Sequence, residues 1–245
     1  RCSMKYLAII KYDGSKFEGF QRLNNGQGVQ NEIENVLSKI AKQKVEIKGA
    51  GRTDRKVHAL GQAISFDLDI DIDITLSKLK YVMNRLLNPY VSVLRIQNVD
   101  DTFHARYSAK EKTYVYKAYY GEKDPFLSNY VTYIYQKPNL LKMKKAAKLF
   151  LGTHSFNNYV SGFRDNYETT IYDIKIKKQG NYYYFILRGA GFYRYMVRHI
   201  VGALLEVGFN KISFEDISFS LFNPTQKVQF MVAEPQGLYL KEVKY

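Results

Sequence analysis

The stretch GAGRTDRKVHALGQAISFD, residues 49–67, lies between two strand patterns and contains the most informative cluster of residues in the chain. Three small residues are followed by Arg52, Thr53 and Asp54, and then by the apolar pattern of a new strand. Small residues at a strand end let a ligand or another backbone approach closely. An Arg two residues before an Asp favours the ionised form of a partly buried carboxylate. A plain β-turn in which Asp54 bonds its own backbone is the alternative, and local physics leaves both open.

The segments around this stretch predict a ferredoxin-like first half. A strand, KYLAIIKYDG, precedes a helix that begins at about Val29 and repeats apolar residues at helical spacing. Strands are predicted around Val45–Lys48 and Gln62–Asp67, and a helix over Leu76–Leu87 is stopped by Asn88-Pro89. The strand VSVLRIQNV follows. The order strand–helix–strand–strand–helix–strand is that of the split βαβ arrangement.

The second half repeats this logic with additions. Its predicted elements are strands over Lys112–Tyr120 and Tyr130–Gln136, a basic helix over Leu140–Leu151, the hairpin IYDIKIKK and YYYFILRG, an amphipathic helix from Tyr193 to Gly208, the short segment FEDISFSLF and the strand LYLKEVKY. No low-complexity linker separates the halves. We therefore predict an α+β protein with two ferredoxin-like halves, residues 4–106 and 107–245, that share a mostly antiparallel sheet with the active-site cleft between them.

Composition narrows the class of function. The 245 residues contain 37 Lys and Arg against 23 acidic residues, a formal net charge of +14. Such an excess indicates a polyanionic partner, nucleic acid first and an anionic membrane surface second, with a Lys-rich proteome as the alternative. No apolar run is long enough to span a bilayer, and no signal-peptide core is present, so we expect a cytoplasmic protein. The single cysteine, Cys2, excludes an intrachain disulfide.

Two patterns suggest metal chemistry, and the sequence favours neither. The four histidines, His58, His104, His154 and His199, are far apart and lack the spacing of a zinc helix. Aspartates alternate with apolar residues from Asp67 to Ile74, which is typical of an edge strand whose charged face prevents aggregation. No Walker or dinucleotide pattern follows either Gly-Ala-Gly. We expect no metal and no nucleotide cofactor.

Five blocks of sequence together resemble the TruA-type tRNA pseudouridine synthases. Arg-Thr-Asp followed by Val-His-Ala is similar to that family's active-site motif. The other blocks are KYDGSKFEGFQRLNNGQGVQ, FHARYSAKEKTYVY, GFYRYMVRHIVGALLEVG and EPQGLYL, and they occur in the family's order. The resemblance implies isomerisation of uridine to pseudouridine at positions 38, 39 and 40 in the anticodon arm of tRNA, by a homodimer without a cofactor.

The resemblance also implies roles for individual residues. Asp54 is the catalytic carboxylate, and Arg52 keeps it ionised and helps to hold the flipped nucleotide. Tyr114 packs on the base, although a plain strand residue is the alternative because Tyr116 lies two positions along on the same face. Arg198 and Leu238 bind the substrate in the pocket, and the alternatives are a solvated charge for Arg198 and a core residue for Leu238. Residues expected to contact RNA are Arg22, His58, Arg106, Lys110, Lys112 and Arg194, with Lys142, Lys144, Lys145 and Lys148 of the basic helix as weaker candidates, since a solvated face is the simpler explanation for each of them.

Two departures from the family pattern leave alternatives open. Between Asp54 and Val57 the family has one residue followed by Gly, whereas this chain has Arg55 and Lys56. In the segment GTHSFNNY, Ser155 stands where the family has an acidic residue. Lys56 either stiffens the loop or adds a phosphate contact. A paralogue that acts on ribosomal RNA fits these departures. A non-catalytic RNA-binding protein with the same fold would share the charge and the tyrosines.

Overall fold

A computed structural model of the chain describes residues 3–69 and 73–245. The strands are β1 Ser3–Tyr12, β2 Lys48–Gly49, β3 His58–Asp69, β4 Val91–Val99, β5 Glu111–Tyr119, β6 Thr132–Tyr133, β7 Gly152–Ser155, β8 Glu168–Gln179, β9 Tyr182–Gly189 and β10 Leu238–Lys244. The helices are α1 Val29–Ala41, α2 Leu76–Leu86, α3 Leu140–Ala147, α4 Met196–Gly208 and α5 Phe214–Phe222, with short 3₁₀ turns between some of them. Strand pairing within each unit is antiparallel except for β10 with β3 and β6 with β5. The predicted α+β class with a mostly antiparallel sheet is confirmed.

The chain folds as two compact units. Unit 1 holds the described residues up to Lys110 together with Tyr239–Tyr245, and unit 2 is Glu111–Leu238. The first unit thus extends a few residues beyond Arg106, and it takes up most of the final strand. The reason is long-range pairing, because Tyr239 and Leu240 align in parallel with His58 and Ala59, and the Tyr245 hydroxyl donates to the Ala105 carbonyl at 2.6 Å.

In unit 1 the strand order is β4-β1-β3, with β2 on β3, which is the order of the split βαβ arrangement. Strand β1 lies between two partners, and Leu7–Ile10 are buried on both faces, which explains their unbroken apolar run. Helix α1 begins at Val29 as predicted.

One predicted strand of unit 1 is wrong. Most of Val45–Lys48 is not in a strand, because side chains of α1 take its backbone donors. The N–H of Val45 donates to Ser38 Oγ at 2.9 Å, and that of Ile47 donates to Glu34 Oε2 at 2.9 Å. Only Lys48 and Gly49 remain to pair with β3.

In unit 2 the strand order is β5-β9-β8-β7, with β6 on β5. The predicted hairpin is confirmed as β8 and β9, with Gly180 in the turn at a φ of 59°. The strand expected over Tyr130–Gln136 shrinks to β6, because Tyr130 and Val131 instead donate to the Leu127 carbonyl. Helix α4 begins at Met196 rather than at Tyr193, since Tyr195 takes a left-handed φ of 63°.

Two smaller expectations concern charge and membranes. The aspartate alternation from Asp67 to Ile74 lies partly outside the described residues, which stop at Asp69 and resume at Asp73. None of the helices in the described part of the chain has both the length and the apolar character that crossing a bilayer requires.

Candidate active site

Asp54 lies on the turn that leads from β2 into β3. The backbone N–H of Val57 donates to the Asp54 carbonyl at 3.0 Å, which closes a four-residue turn. A turn of the kind that local sequence physics allows is therefore formed. The Asp54 side chain is partly exposed, whereas Arg52, Arg55 and Lys56 are exposed. The turn thus presents one carboxylate among three cations.

A buried polar network holds this turn from below. Thr53, only 7% exposed, places its Oγ1 2.6 Å from the Tyr12 hydroxyl. Gln62, which is fully buried on β3, donates from Nε2 to the Gly51 carbonyl at 3.0 Å and lies 3.5 Å from the Tyr12 hydroxyl. The Thr53 carbonyl accepts from the backbone N–H of Phe20 at 3.1 Å. The residues on both sides of Arg52 are therefore fixed, and with them the start of the turn.

The loop after β1 closes on the other end of the turn. A Cβ added to Gly14 would lie 1.9 Å from the Val57 carbonyl oxygen, so the two backbones are in direct contact. The N–H of Gly14 donates to His58 Nδ1 at 2.9 Å, and the His58 ring packs 4.7 Å from that of Tyr239. His58 is 2% exposed, which leaves little of its surface for an RNA contact. Its geometry is that of a residue that positions the turn.

The tyrosines of β5 differ in their surroundings. Tyr116 is buried, and its hydroxyl donates to the Glu234 carbonyl at 2.7 Å and lies 2.6 Å from Thr132 Oγ1. Burial raises the pKa of Tyr116 far above its usual value, so its hydroxyl stays protonated. Tyr114 is partly exposed, and its ring meets that of Phe192 edge-on at 5.1 Å. Tyr114 is thus the more exposed of the two.

Arg198 is held in place by unit 2. Its Nε donates to the Ala233 carbonyl at 2.8 Å, and its guanidinium lies 4.4 Å from the centre of the Tyr195 ring. The Arg198 carbonyl in turn accepts from the N–H of Ala233 at 3.0 Å. Burial, followed by the Arg198 charge, lowers the pKa of the neighbouring His199, whose Nε2 lies 3.0 Å from Ser161 Oγ. Arg198 is therefore an ordered, partly buried cation rather than a freely solvated one.

Leu238 is 5% exposed at the start of β10. It follows a tightly packed Gly237, at which a Cβ would lie 2.7 Å from the Lys117 carbonyl and 2.8 Å from Thr132 Oγ1. The predicted site residues are thus divided between the units, with Arg52 and Asp54 in unit 1 and Tyr114, Arg198 and Leu238 in unit 2.

The residues expected to contact RNA differ in their exposure and in the contacts that they already make within the protein. Arg22 is already engaged, since its Nε and Nη2 each lie 2.6 Å from a carboxylate oxygen of Glu34, which raises the pKa of Arg22. Arg106 and Arg194 are exposed and stack over the rings of Tyr107 and Tyr195 at 5.5 and 4.8 Å. Lys110 is exposed and Lys112 is partly exposed.

The histidines contact groups of the protein rather than one another. His104 Nδ1 accepts from the N–H of Arg106 at 3.1 Å, and His154 Nε2 lies 2.8 Å from the Leu151 carbonyl. Among residues 3–69 and 73–245, no group of three or more His, Cys, Asp or Glu side chains could hold a metal ion.

Comparison with known proteins identifies the family. The family model described as tRNA pseudouridine synthase matches residues 8–108 and 146–245. The chain is 36% identical over 245 residues to tRNA pseudouridine synthase A 2 of Bacillus anthracis, covering 98% of this chain and 99% of the relative. It is 37% identical over 243 residues to tRNA pseudouridine synthase A of Staphylococcus aureus, covering 98% and 91%. The chain belongs to the tRNA pseudouridine synthase family.

The family assignment confirms the recognised resemblance and the enzyme class, an isomerase that acts on tRNA. Asp54, Arg198 and Leu238 lie within the matched residues, whereas Tyr114 lies in the interval between the two matched segments. A solved Cbf5-Nop10-Gar1 complex aligns over 82% of this chain and 45% of its own, at a TM-score of 0.37 and 14% identity, which is too distant a likeness to add to the assignment.

Sequence reasoning about this synthase missed the network of Tyr12, Thr53 and Gln62. One signal was present, because Gln62 interrupts an apolar strand that has no solvated side at that point. A polar side chain in such a strand needs a buried partner. The partner itself was not readable, since Tyr12 lies 41 residues from Thr53 and 50 from Gln62.

Proposed function

We propose that this chain converts uridine to pseudouridine at positions 38, 39 and 40 in the anticodon arm of tRNA, with Asp54 as the catalytic carboxylate. The observation that carries the proposal is the turn at Asp54. The turn that carries this partly exposed aspartate is held by buried hydrogen bonds at Gly51 and Thr53, and it also carries exposed cations, in a chain of this family.

The chemistry requires a carboxylate beside the sugar. The bond from C1′ to N1 breaks, the uracil turns, and C1′ bonds to C5, which loses its hydrogen as N1 gains one. A carboxylate next to C1′ acts as a nucleophile or stabilises the positive charge that develops on the sugar. Substrate and product are isomers, so the reaction needs no redox partner and no donated group. Side chains alone are therefore chemically sufficient for the reaction, without a metal or an organic cofactor.

The other site residues have complementary roles in this proposal. Arg52 favours the ionised form of Asp54, because a nearby positive charge lowers the free energy of a carboxylate. Tyr114 offers its exposed part to the extruded base, and the small exposed part of Leu238 offers it an apolar contact. Arg198 presents a fixed cation, since its contacts with Ala233 and Tyr195 restrict the side chain.

The substrate must be bound by its phosphates while the uridine leaves the base stack, which costs a few kcal/mol. The net charge of +14 favours such binding. The exposed Arg106, Lys110 and Arg194, with the partly exposed Lys112, are the proposed contacts in the chain. We also propose that two copies cooperate in holding one tRNA and that the enzyme works in the cytoplasm. Affinity should fall by about 0.7 log units per log unit of salt for each phosphate contact with a single strand.

The test is tritium release from tRNA labelled with [5-³H]uridine, because the C5 hydrogen is lost in the reaction. Wild-type protein should release tritium, and Asp54→Asn should release none while its tRNA affinity stays within a fewfold. Asp101→Asn, which alters an exposed carboxylate of the same unit, is the matched control and should behave like wild type.

Two results would redirect the proposal. No release from tRNA by the wild type, with release from ribosomal RNA, would favour the paralogue. Tight tRNA binding without release from either RNA would favour the non-catalytic binding protein.

A further inference from the structure

A shallow pocket of about 150 Å³ lies beside the catalytic turn within unit 1. Its wall is formed on one side by the loop after β1, including Ser15, Lys16 and Glu18, and on the other by Arg55 and Lys56 of the turn. Lys56 is two residues from Asp54, which is at most about 7 Å along an extended chain. The pocket is therefore a neighbour of the proposed reaction centre.

The charge of the pocket is positive. Lys16, Arg55 and Lys56 provide three cations against the single carboxylate of Glu18, a net charge of +2. Arg55 Nη2 lies 3.6 Å from Glu18 Oε1, but the Arg55 side chain is 65% exposed, so this ion pair is weak and easily exchanged for another anion. The pocket can therefore receive an anion.

The backbone of Lys56 is strained to place its side chain here. Its φ of 70° is in the left-handed region, which costs a lysine free energy that a glycine does not incur. Strained backbone of this kind is concentrated at active sites and ligand clamps. Lys56 follows directly on Arg55, so the turn directs two consecutive cations to one pocket.

We propose that this pocket binds a phosphodiester of the RNA substrate, on or next to the nucleotide that reacts at Asp54. The volume is well below the ~300 Å³ from which pockets for drug-sized molecules begin, and it suits a single phosphate group. The identity of the anion as RNA rests on the proposed function. The lysine of the turn then supplies a phosphate contact that a glycine at this position would lack.

Lys56→Gly tests the proposal, and Lys42→Gly is its matched control. Lys42 is also an exposed lysine of unit 1 with a left-handed φ, 54°, but it lies at the end of α1 and does not line the pocket. Both substitutions relieve the same backbone strain and remove one positive charge. Only Lys56→Gly removes a wall of the pocket.

The first measurement is the Kd for an unmodified tRNA transcript across a series of salt concentrations, made in an Asp54→Asn background so that no product forms. The second is the kinetics of tritium release, measured with Asp54 intact. Lys56→Gly should raise Kd about fivefold at low salt and reduce the salt slope by about 0.7, the effect of one lost phosphate contact. KM should rise while kcat is kept. Glu18→Gln, which releases Arg55 from its ion pair, should lower Kd. Lys42→Gly should leave Kd and the slope near the wild-type values.

Two outcomes would overturn the proposal: an unchanged Kd and slope for Lys56→Gly, or equal changes for Lys42→Gly, which would indicate a general effect of net charge. Failure of the proposed function is distinguishable. In that case the wild type releases no tritium, whereas Lys56→Gly still weakens tRNA binding through the pocket.

Discussion

Removal of the Tyr12 hydroxyl is expected to lower both stability and turnover. In Tyr12→Phe the Thr53 hydroxyl, 7% exposed, loses the partner that lies 2.6 Å away. A buried hydroxyl without a partner costs about 1–3 kcal/mol. At about 2 kcal/mol, the Tm of a chain of this size should fall by about 4–8 °C. Because Thr53 adjoins Asp54, a shift of the turn should also reduce kcat, by about tenfold, with little change in KM.

A double-mutant cycle separates this cause from a general loss of packing. Thr53→Val alone should also destabilise the protein, because the Tyr12 hydroxyl then keeps only Gln62, at 3.5 Å. The double variant should be less destabilised than the sum of the two, by about 1–2 kcal/mol, since replacing both partners leaves no unpaired group. Urea unfolding gives the free energies, and tritium release gives kcat. Tyr81→Phe, which removes an exposed hydroxyl, is the control and should match wild type.

Strictly additive free energies in this cycle would refute the reasoning. So would a kcat for Tyr12→Phe equal to that of the wild type, because the turn would then hold Asp54 without the network.

Two further predictions concern the same region. Gly14→Ala should destabilise the protein by about 3 kcal/mol and lower kcat, because its Cβ would lie 1.9 Å from the Val57 carbonyl oxygen. Gly26→Ala is the control, because its Cβ meets nothing within 4 Å, and it should cost only about 1 kcal/mol for the left-handed φ of 77°. Equal losses of stability for the two variants in thermal unfolding would contradict the close contact between Gly14 and Val57. Burial raises the pKa of Tyr12 from 10.0 to about 12, so the folded state keeps this proton to a higher pH than the unfolded chain does. The contribution of this proton to stability, up to about 3 kcal/mol, is complete below pH 10 and is lost between about pH 10 and 12. The unfolding free energy of Tyr12→Phe should therefore fall less steeply over that interval than that of the wild type.

The sequence alone determined the features that depend on neighbours in the chain. The start of α1 and the bounds of α2, β4 and β9 agree with the predicted ones within a residue, because helical and strand periodicities are local. The family could be recognised for a related reason, since its blocks keep their order along the chain whatever the tertiary structure is. This likeness singled out Asp54 as the candidate catalytic residue, which periodicity would not have selected.

Tertiary structure decided the features that depend on distant partners. Val45–Lys48 has the pattern of a strand, but helix side chains occupy its donors. The sequence predicts that Arg22 is available to RNA, but its Nε and Nη2 donate hydrogen bonds to the carboxylate of Glu34. The left-handed backbone at Lys56 could not be predicted from the sequence either, because lysine rarely adopts it. The same holds for the network beneath Asp54, whose members are brought together only by the pairing of β1 with β3. Hydrogen-bond partners separated by about 40 residues or more leave no periodic trace in a sequence, so only the folded chain shows how the turn that carries Asp54 is held.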